Sequence, residues 1–320
     1  MLLFRWRKEY EHYGDDKMNV LANTSIAKGF DNIFSEAEGT RKLNLKNNNC
    51  LRLFYLDILN NEFTYTGLHQ LLQRNIGRYV FSRASIEQFK TEGDAEAIGL
   101  KAIELLRKAN NPSDNGAGGE LGEILLYLFL ENKLDAPKLL SKVELKTNSD
   151  QYVFGSDGVH LLHIDDKTFQ LVLGESKIKG NLNKAVDEAF ESIKKVADNP
   201  DNELRLIEKN ILSESFDEET TEFIKSLIVP MKRDTSIGVD NSFGIFLGYT
   251  LGIDATKYSN SQFREAVKQK LKKDLDDICA YIEGKINASG LLGYSFYFYI
   301  LPFNNAKEDR ANIINKLKGE

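Results

Sequence analysis

A chain of 320 residues, 42% hydrophobic and 28% charged, has ordinary globular composition and is long enough for one large domain or two modest ones. Its net charge of −6 excludes tight nucleic-acid binding by general basicity, because phosphate neutralisation by Lys and Arg supplies most such affinity. No apolar run reaches the ~18–20 residues of a membrane span. Charges from Arg5 onward leave no apolar segment for a secretory signal, and Cys50 and Cys279 stand without CxxC or His-rich spacing. A reducing, cytoplasmic location with no membrane association is the expectation.

In chain order, residues 1–17 read as a charged, tyrosine-rich extension ahead of Met18. LRLFYLDI (51–58) alternates like a strand, and 66–81 reads as a helix with Leu68, Leu71, Leu72 and Ile76 on one face. A second helical stretch, 86–110, is interrupted near Gly93 and runs into NNPSDNGAGG, a cluster of turn formers. That cluster divides an N-terminal α+β region (18–110) from a larger core (111–320). In the core, 119–134 predicts a strongly apolar helix, and KVELKT (142–147), DGVHLLHI (157–164) and FQLVLGESK (169–177) predict three strands in succession. A helix over 181–197, a buried strand over 243–251, a long helix over 259–287, a strand over 294–303 and a short final helix complete the chain. The class is α/β in the α+β sense: a mixed sheet with helices packed on it.

The charged triplets narrow the function. Acid-x-Lys occurs six times, and only Glu144/Lys146 and Glu175/Lys177 fall on predicted strands. Positions i and i+2 of a strand share a face about 6.5–7 Å apart. Glu175 and Lys177 therefore extend the apolar face of Phe169, Leu171 and Leu173, where ionised groups need partners or a metal. Closing the hairpin around 165–167 with a three-residue loop gives an even index sum, which sets Asp157 beside Glu175. Glu144 has no strand-entry aspartate before it.

Two adjacent carboxylates suit Mg2+ or Mn2+, which take hard oxygen ligands and act on a scissile phosphate. Lys177 would position or deprotonate water, or stabilise the phosphate in its transition state, with a depressed pKa under a nearby metal. Glu120 and Glu123, three apart on the preceding helix, offer a third carboxylate. Glu123 is preferred for its place deeper in the helix, with Glu120 the alternative. The expected metal set is Glu123, Asp157 and Glu175. The plain alternative is a structural ion pair with first-turn acids favoured by the helix dipole.

GELGEILLYLFLE, GSDGVHLL and LVLGESK together resemble the PD-(D/E)xK nuclease fold, and the fuller pattern is similar to the HamA family, small subunits of the Hachiman anti-phage defence system. The resemblance is strongest over about residues 115–200. It implies a restriction-endonuclease-like core, a DNA nuclease with Asp157, Glu175 and Lys177 in the catalytic positions, and a HamB-like helicase partner that restrains it. Ser156 stands where the motif has proline.

Lys179, Asn181, Asn183 and Lys184 follow the active strand and are expected to touch the DNA backbone. Lys268, Lys270, Lys272 and Lys273, and Arg74 with Arg78, read either as phosphate contacts or as solvated helix faces. Phe54, Tyr55, Tyr65 and Tyr79 are expected to form a partner-docking surface in the N-terminal region. His160 and His163 have opposite parity, so they share no metal. NPSDNGAGGE lacks the Gly-Lys-Ser/Thr of a P-loop. Two function classes stand: a metal-dependent DNA nuclease in a defence complex, and a non-catalytic module of the same fold that binds a helicase or DNA ends.

Overall fold

The computed structural model describes residues 21–109, 119–144, 155–200, 204–205, 207–208, 218–229 and 236–320. The predicted extension (1–17), most of the turn-former cluster and residues 145–147 lie outside the described residues.

Six strands form one mixed sheet in the order β1-β2-β8-β7-β6-β5. They are β1 (Ser35–Arg41), β2 (Asn49–Tyr55), β5 (Gly158–Asp165), β6 (Thr168–Ile178), β7 (Gly238–Thr250) and β8 (Ser295–Phe303). A small hairpin, β3 (Ile58–Leu59) with β4 (Glu62–Phe63), stands apart. The central pairs β2/β8, β8/β7 and β7/β6 are parallel, and the outer pairs β1/β2 and β6/β5 are antiparallel. Parallel strands covered on both faces need continuous apolar runs, and all nine residues of β8 (SFYFYILPF) are buried. Edge strand β1 (SEAEGTR) is polar and is broken by a register shift between Ala37 and Arg41, with Glu38 and Gly39 at positive φ. Such features protect an open edge from unwanted pairing.

The helices are α1 (Phe30–Ile33), α2 (Thr66–Val80), α3 (Arg83–Thr91), α4 (Ile98–Ala109), α5 (Gly119–Lys133), α6 (Leu182–Asp198), α7 (Glu218–Ile228), α8 (Asn260–Ala288) and α9 (Ala306–Lys318). Helix α5 is apolar nearly all round because it lies between the sheet and an outer layer of α2 and α9. Its Phe129 stacks on Phe246 and Tyr299 of the sheet and meets Phe54. Close approach needs glycine on both sides. A Cβ on Gly122 would fall 2.9 Å from Ser176 Oγ, and one on Gly174 would fall 2.8 Å from Leu126 Cδ2. Helix α6 covers the opposite face of β6 and β7, and α8 packs against it. Among the described residues, no helix is long and apolar enough to cross a membrane.

The predicted helices and most predicted strands form where expected, most ends within three residues, although β7 begins at Gly238, five residues before the predicted start. Gly93, at φ +78°, sits in the break between α3 and α4. The strand predicted over 142–147 is a correction, since residues 142–144 form a helical turn. Glu144 there accepts hydrogen bonds from Ser82 N and Ser85 Oγ at the start of α3, and that capping outweighs the strand-like alternation. Strand β1 and helix α7 were not anticipated.

A second correction concerns the aromatic docking surface. Phe54 and Tyr79 are core residues, and the Tyr65 hydroxyl donates to Asp309 Oδ2 at 2.5 Å. Because β2 pairs with β8, strands from both sides of residue 110 share one sheet. One continuous hydrophobic cluster runs from Leu21 to Leu317.

Candidate functional site

The site grows from the β5–β6 hairpin. Gly158 pairs with Gly174, an even index sum, and just beyond the paired residues Asp157 N donates to Gly174 O at 2.7 Å, which sets Asp157 beside the Gly174–Ser176 segment. The loop differs from the expected three residues. Asp165 pairs with Thr168 across a two-residue turn, and a register shift between His163 and Asp165 restores the even sum.

Period-2 alternation divides β6 between two environments. Even positions Gly174 and Ser176 meet α5, whereas Glu175 and Lys177 point toward α6. Glu175 is 3% exposed, and its Oε1 accepts from Lys177 Nζ. Burial, and next the charge of Asp157, push its carboxyl up to about 7, against the pull of Lys177 and a hydrogen bond from Ser192. Burial draws the Lys177 ammonium down, but the charge and hydrogen bond of Glu175, with Asp157 and Glu188 behind, outweigh it and raise its pKa. In the protein alone Lys177 is held as a cation, whereas the depressed pKa expected from sequence concerns a site with a bound metal.

Asp157 is fixed by three donors. Its Oδ2 accepts from Ser176 N at 2.9 Å and from Ser176 Oγ at 2.8 Å. Its Oδ1 faces Lys142 Nζ at 3.5 Å, and the same ammonium donates to Ser156 O at 2.8 Å. The helix acids approach from the other side of the sheet. Glu123 Oε2 accepts from the Tyr79 hydroxyl at 2.9 Å, and Glu120 pairs with the buried Lys318 at 2.7 Å. Burial first, and then Glu123, Asp157 and Glu120, raise the Tyr79 phenol pKa well above its usual value.

The structure thus joins Asp157, Glu175 and Lys177 in one cluster, and Glu123 lies on the Tyr79 hydroxyl. Among the described residues, no three His, Cys, Asp or Glu side chains are gathered into a ready metal cage. The donor set still fits a small hard cation. Asp157 and Glu175 are oxygen ligands whose mutual repulsion a divalent ion would relieve, and Mg2+ is commonly held by only one or two carboxylates with water and substrate phosphate.

Residues 28–317 match the sequence profile of the HamA family, nearly the whole chain. The chain belongs to the HamA family. It is therefore a component of Hachiman defence, and its mixed α/β architecture is compatible with a nuclease-like core. No curated protein matches it.

In this HamA-family chain the residues expected to touch DNA are divided. Lys179 Nζ pairs with Glu188 Oε2 at 2.5 Å, and Asn181 caps α6 by accepting from Lys184 N at 3.1 Å. Asn183 and the Lys184 side chain are exposed on the first turn of α6. On α8, Lys270 pairs with Asp274, and Lys272 lies 4.0 Å from Glu38, while Lys268 and Lys273 face solvent. Arg74 and Arg78 donate to the Lys28 and Thr24 carbonyls and tie the 24–28 segment to α2.

Three site residues escaped the sequence reading. Ser176 is the x of Glu-x-Lys, and its alternation to the opposite face was legible. Tyr79 and Lys142 were not, because only the tertiary fold sets them beside Glu123 and Asp157.

Proposed function

We propose that this HamA-family chain is a metal-dependent deoxyribonuclease that hydrolyses phosphodiester bonds in anti-phage defence under the control of a helicase partner. The observation that carries the reading is a buried carboxylate, Glu175, electrostatically coupled to Asp157 and paired with Lys177 at the end of a central strand. A structural ion pair has no need of the second acid, which destabilises the first.

Asp157 and Glu175 would hold Mg2+ or Mn2+, with Glu123 approaching beside Tyr79; the ion, when bound, neutralises charge on the scissile phosphate and acidifies bound water. Ser176 and Lys142 fix the Asp157 carboxylate in one orientation. Lys177, kept protonated by Glu175, serves as a positive group for the phosphate oxygens rather than as a base. In hydrolysis a water oxygen bonds to phosphorus, one P–O ester bond breaks, and the departing oxygen takes up a proton. Asn183 and Lys184 lie exposed a few residues beyond Lys177 and would steady the flanking backbone.

Plasmid nicking in Mg2+, compared with excess chelator, tests the reading. Glu175→Gln and Lys177→Met should each lower the rate at least ~100-fold while circular dichroism shows a folded chain. Normal cleavage by folded Glu175→Gln protein would transfer the assignment to the non-catalytic adaptor reading. The helicase arm is tested separately. A helicase encoded beside this chain should co-purify with it and suppress plasmid degradation until ATP and DNA are present. No association would remove the partner and leave the nuclease assignment standing.

A further inference from the structure

We propose that Lys142 is an internal cation that occupies the metal-facing side of Asp157 and keeps the resting site from binding a divalent ion tightly before a phosphate arrives. The inference rests on the nuclease reading above and concerns the control of that same site.

The argument begins with charge. Two carboxylates, Asp157 and Glu175, are each met by one lysine: Lys142 on Asp157 Oδ1 and Lys177 on Glu175 Oε1. Both lysines are largely buried, with side chains 12% and 23% exposed, so solvent screens the quartet weakly. The other Asp157 oxygen is saturated by Ser176 N and Oγ. The oxygen left for a ligand is the one that Lys142 faces. With both acids ionised, the two carboxylates and two ammonium groups of this quartet sum to zero, and such a cluster attracts a divalent cation far less than a pair of bare carboxylates does.

The placement is built rather than incidental. Lys142 lies in a strap, residues 136–144, fastened on both sides. Along β5, Leu139 N donates to Val159 O at 2.8 Å and Leu161 N to Pro137 O at 3.0 Å. Against the α2–α3 corner, the buried Lys138 Nζ donates to Arg78 O at 2.7 Å and Phe81 O at 3.0 Å. Ser141 Oγ donates to Phe81 O at 2.7 Å, and Glu144 receives Ser82 N and Ser85 Oγ. Anchors on either side of Lys142 hold its backbone, and Ser156 O holds its ammonium at 2.8 Å.

The consequence is an order of events. A substrate phosphate adds negative charge to the neutral quartet, so metal and nucleic acid enter together. The strap also connects the site to the corner between α2 and α3, so a partner that shifts this corner would move Lys142.

The test uses the full chain and Mn2+ as probe, with free Mn2+ followed by electron paramagnetic resonance in the absence of DNA. Lys142→Gln removes the charge but keeps a donor for the Ser156 carbonyl, and it should bind Mn2+ on the order of tenfold more tightly than wild type. Lys142→Arg, which keeps the charge, should bind as wild type does. Thermal melting should show a larger Mn2+-induced stabilisation for Lys142→Gln than for wild type. Unchanged or weaker Mn2+ binding by folded Lys142→Gln protein overturns the proposal. If wild-type protein instead shows no Mn2+ binding with or without DNA and no cleavage, the nuclease reading itself has failed.

Discussion

Glu175 and His160 are both buried and titratable, and their neighbours give them opposite characters. Around Glu175 the nearby acid Asp157 repels, offset by Lys177 and a hydrogen bond from Ser192. Around His160 the packing is that of a core side chain. Its Nδ1 lies 2.8 Å from Ala136 O, and its ring is near Tyr127. Burial first, with Lys138 and Arg83, lowers its pKa to about 4 against the pull of Glu131 and of the Ala136 carbonyl. Since the unfolded imidazole has a pKa near 6.5, the unfolded chain takes up more protons between those values, and stability falls as pH drops through that window. The loss is at most roughly 3 kcal/mol. Glu131 acts in the same direction. Burial pushes it up, but His160 and backbone donors at Lys138, Ser25 and Thr24 hold it below the usual carboxylate range. Urea midpoints at pH 7, 5.5 and 4.5 should therefore decline, and His160→Gln should flatten the decline. A pH-independent midpoint would contradict the assignment of His160 as a neutral core residue.

Among the elements, β6 and α6 carry the site between them. Strand β6 delivers Ser176 to one face and Glu175 and Lys177 to the other, and the start of α6 presents Asn183 and Lys184. That start depends on Asn181, whose side chain caps the helix. Asn181→Ala should lower stability by about 1 kcal/mol, whereas Asn181→Ser, another good cap, should restore both stability and cleavage. Loss of cleavage in a fully stable Asn181→Ser protein would instead favour direct contact between the Asn181 amide and DNA. The strap at 136–144 is the third element of the site. Its alternating KVE looked like a strand, yet Lys138, Ser141 and Glu144 commit it to capping other elements.

Across the whole molecule, the parallel seam between β2 and β8 joins chain segments separated by more than two hundred positions. Helices α2 and α4 from the N-terminal part also pack with α9 from the C-terminus. A fragment beginning at residue 111 would expose the apolar edge of β8 and one side of α5 to water. Deletion of residues 1–110 should therefore yield insoluble or unfolded protein. A soluble, cooperatively melting 111–320 fragment would show that the two regions fold independently. The net charge of −6 acts on the same scale. A net negative charge gives the chain as a whole little general attraction for DNA phosphates.

Local pattern determined much of this protein. Helical periodicity located α2, α6 and α8, and continuous apolar runs located α5, β7 and β8. Strand alternation joined Glu175 to Lys177, and the even index sum brought Asp157 beside them. These features depend on neighbours a few residues apart, or on one hairpin whose register a single turn controls. Only the tertiary structure decided what depends on distant segments. It put Phe54 and Tyr79 in the core rather than on a docking surface, because α5 covers the sheet face at Phe54 and packs against α2 at Tyr79. It turned KVE from a strand into a capping strap, because carbonyls and amides at the α2–α3 corner needed partners. It also set Lys142 against Asp157 across fifteen residues of sequence. No spacing rule links those two positions, and only the packed strap gives that charge its place.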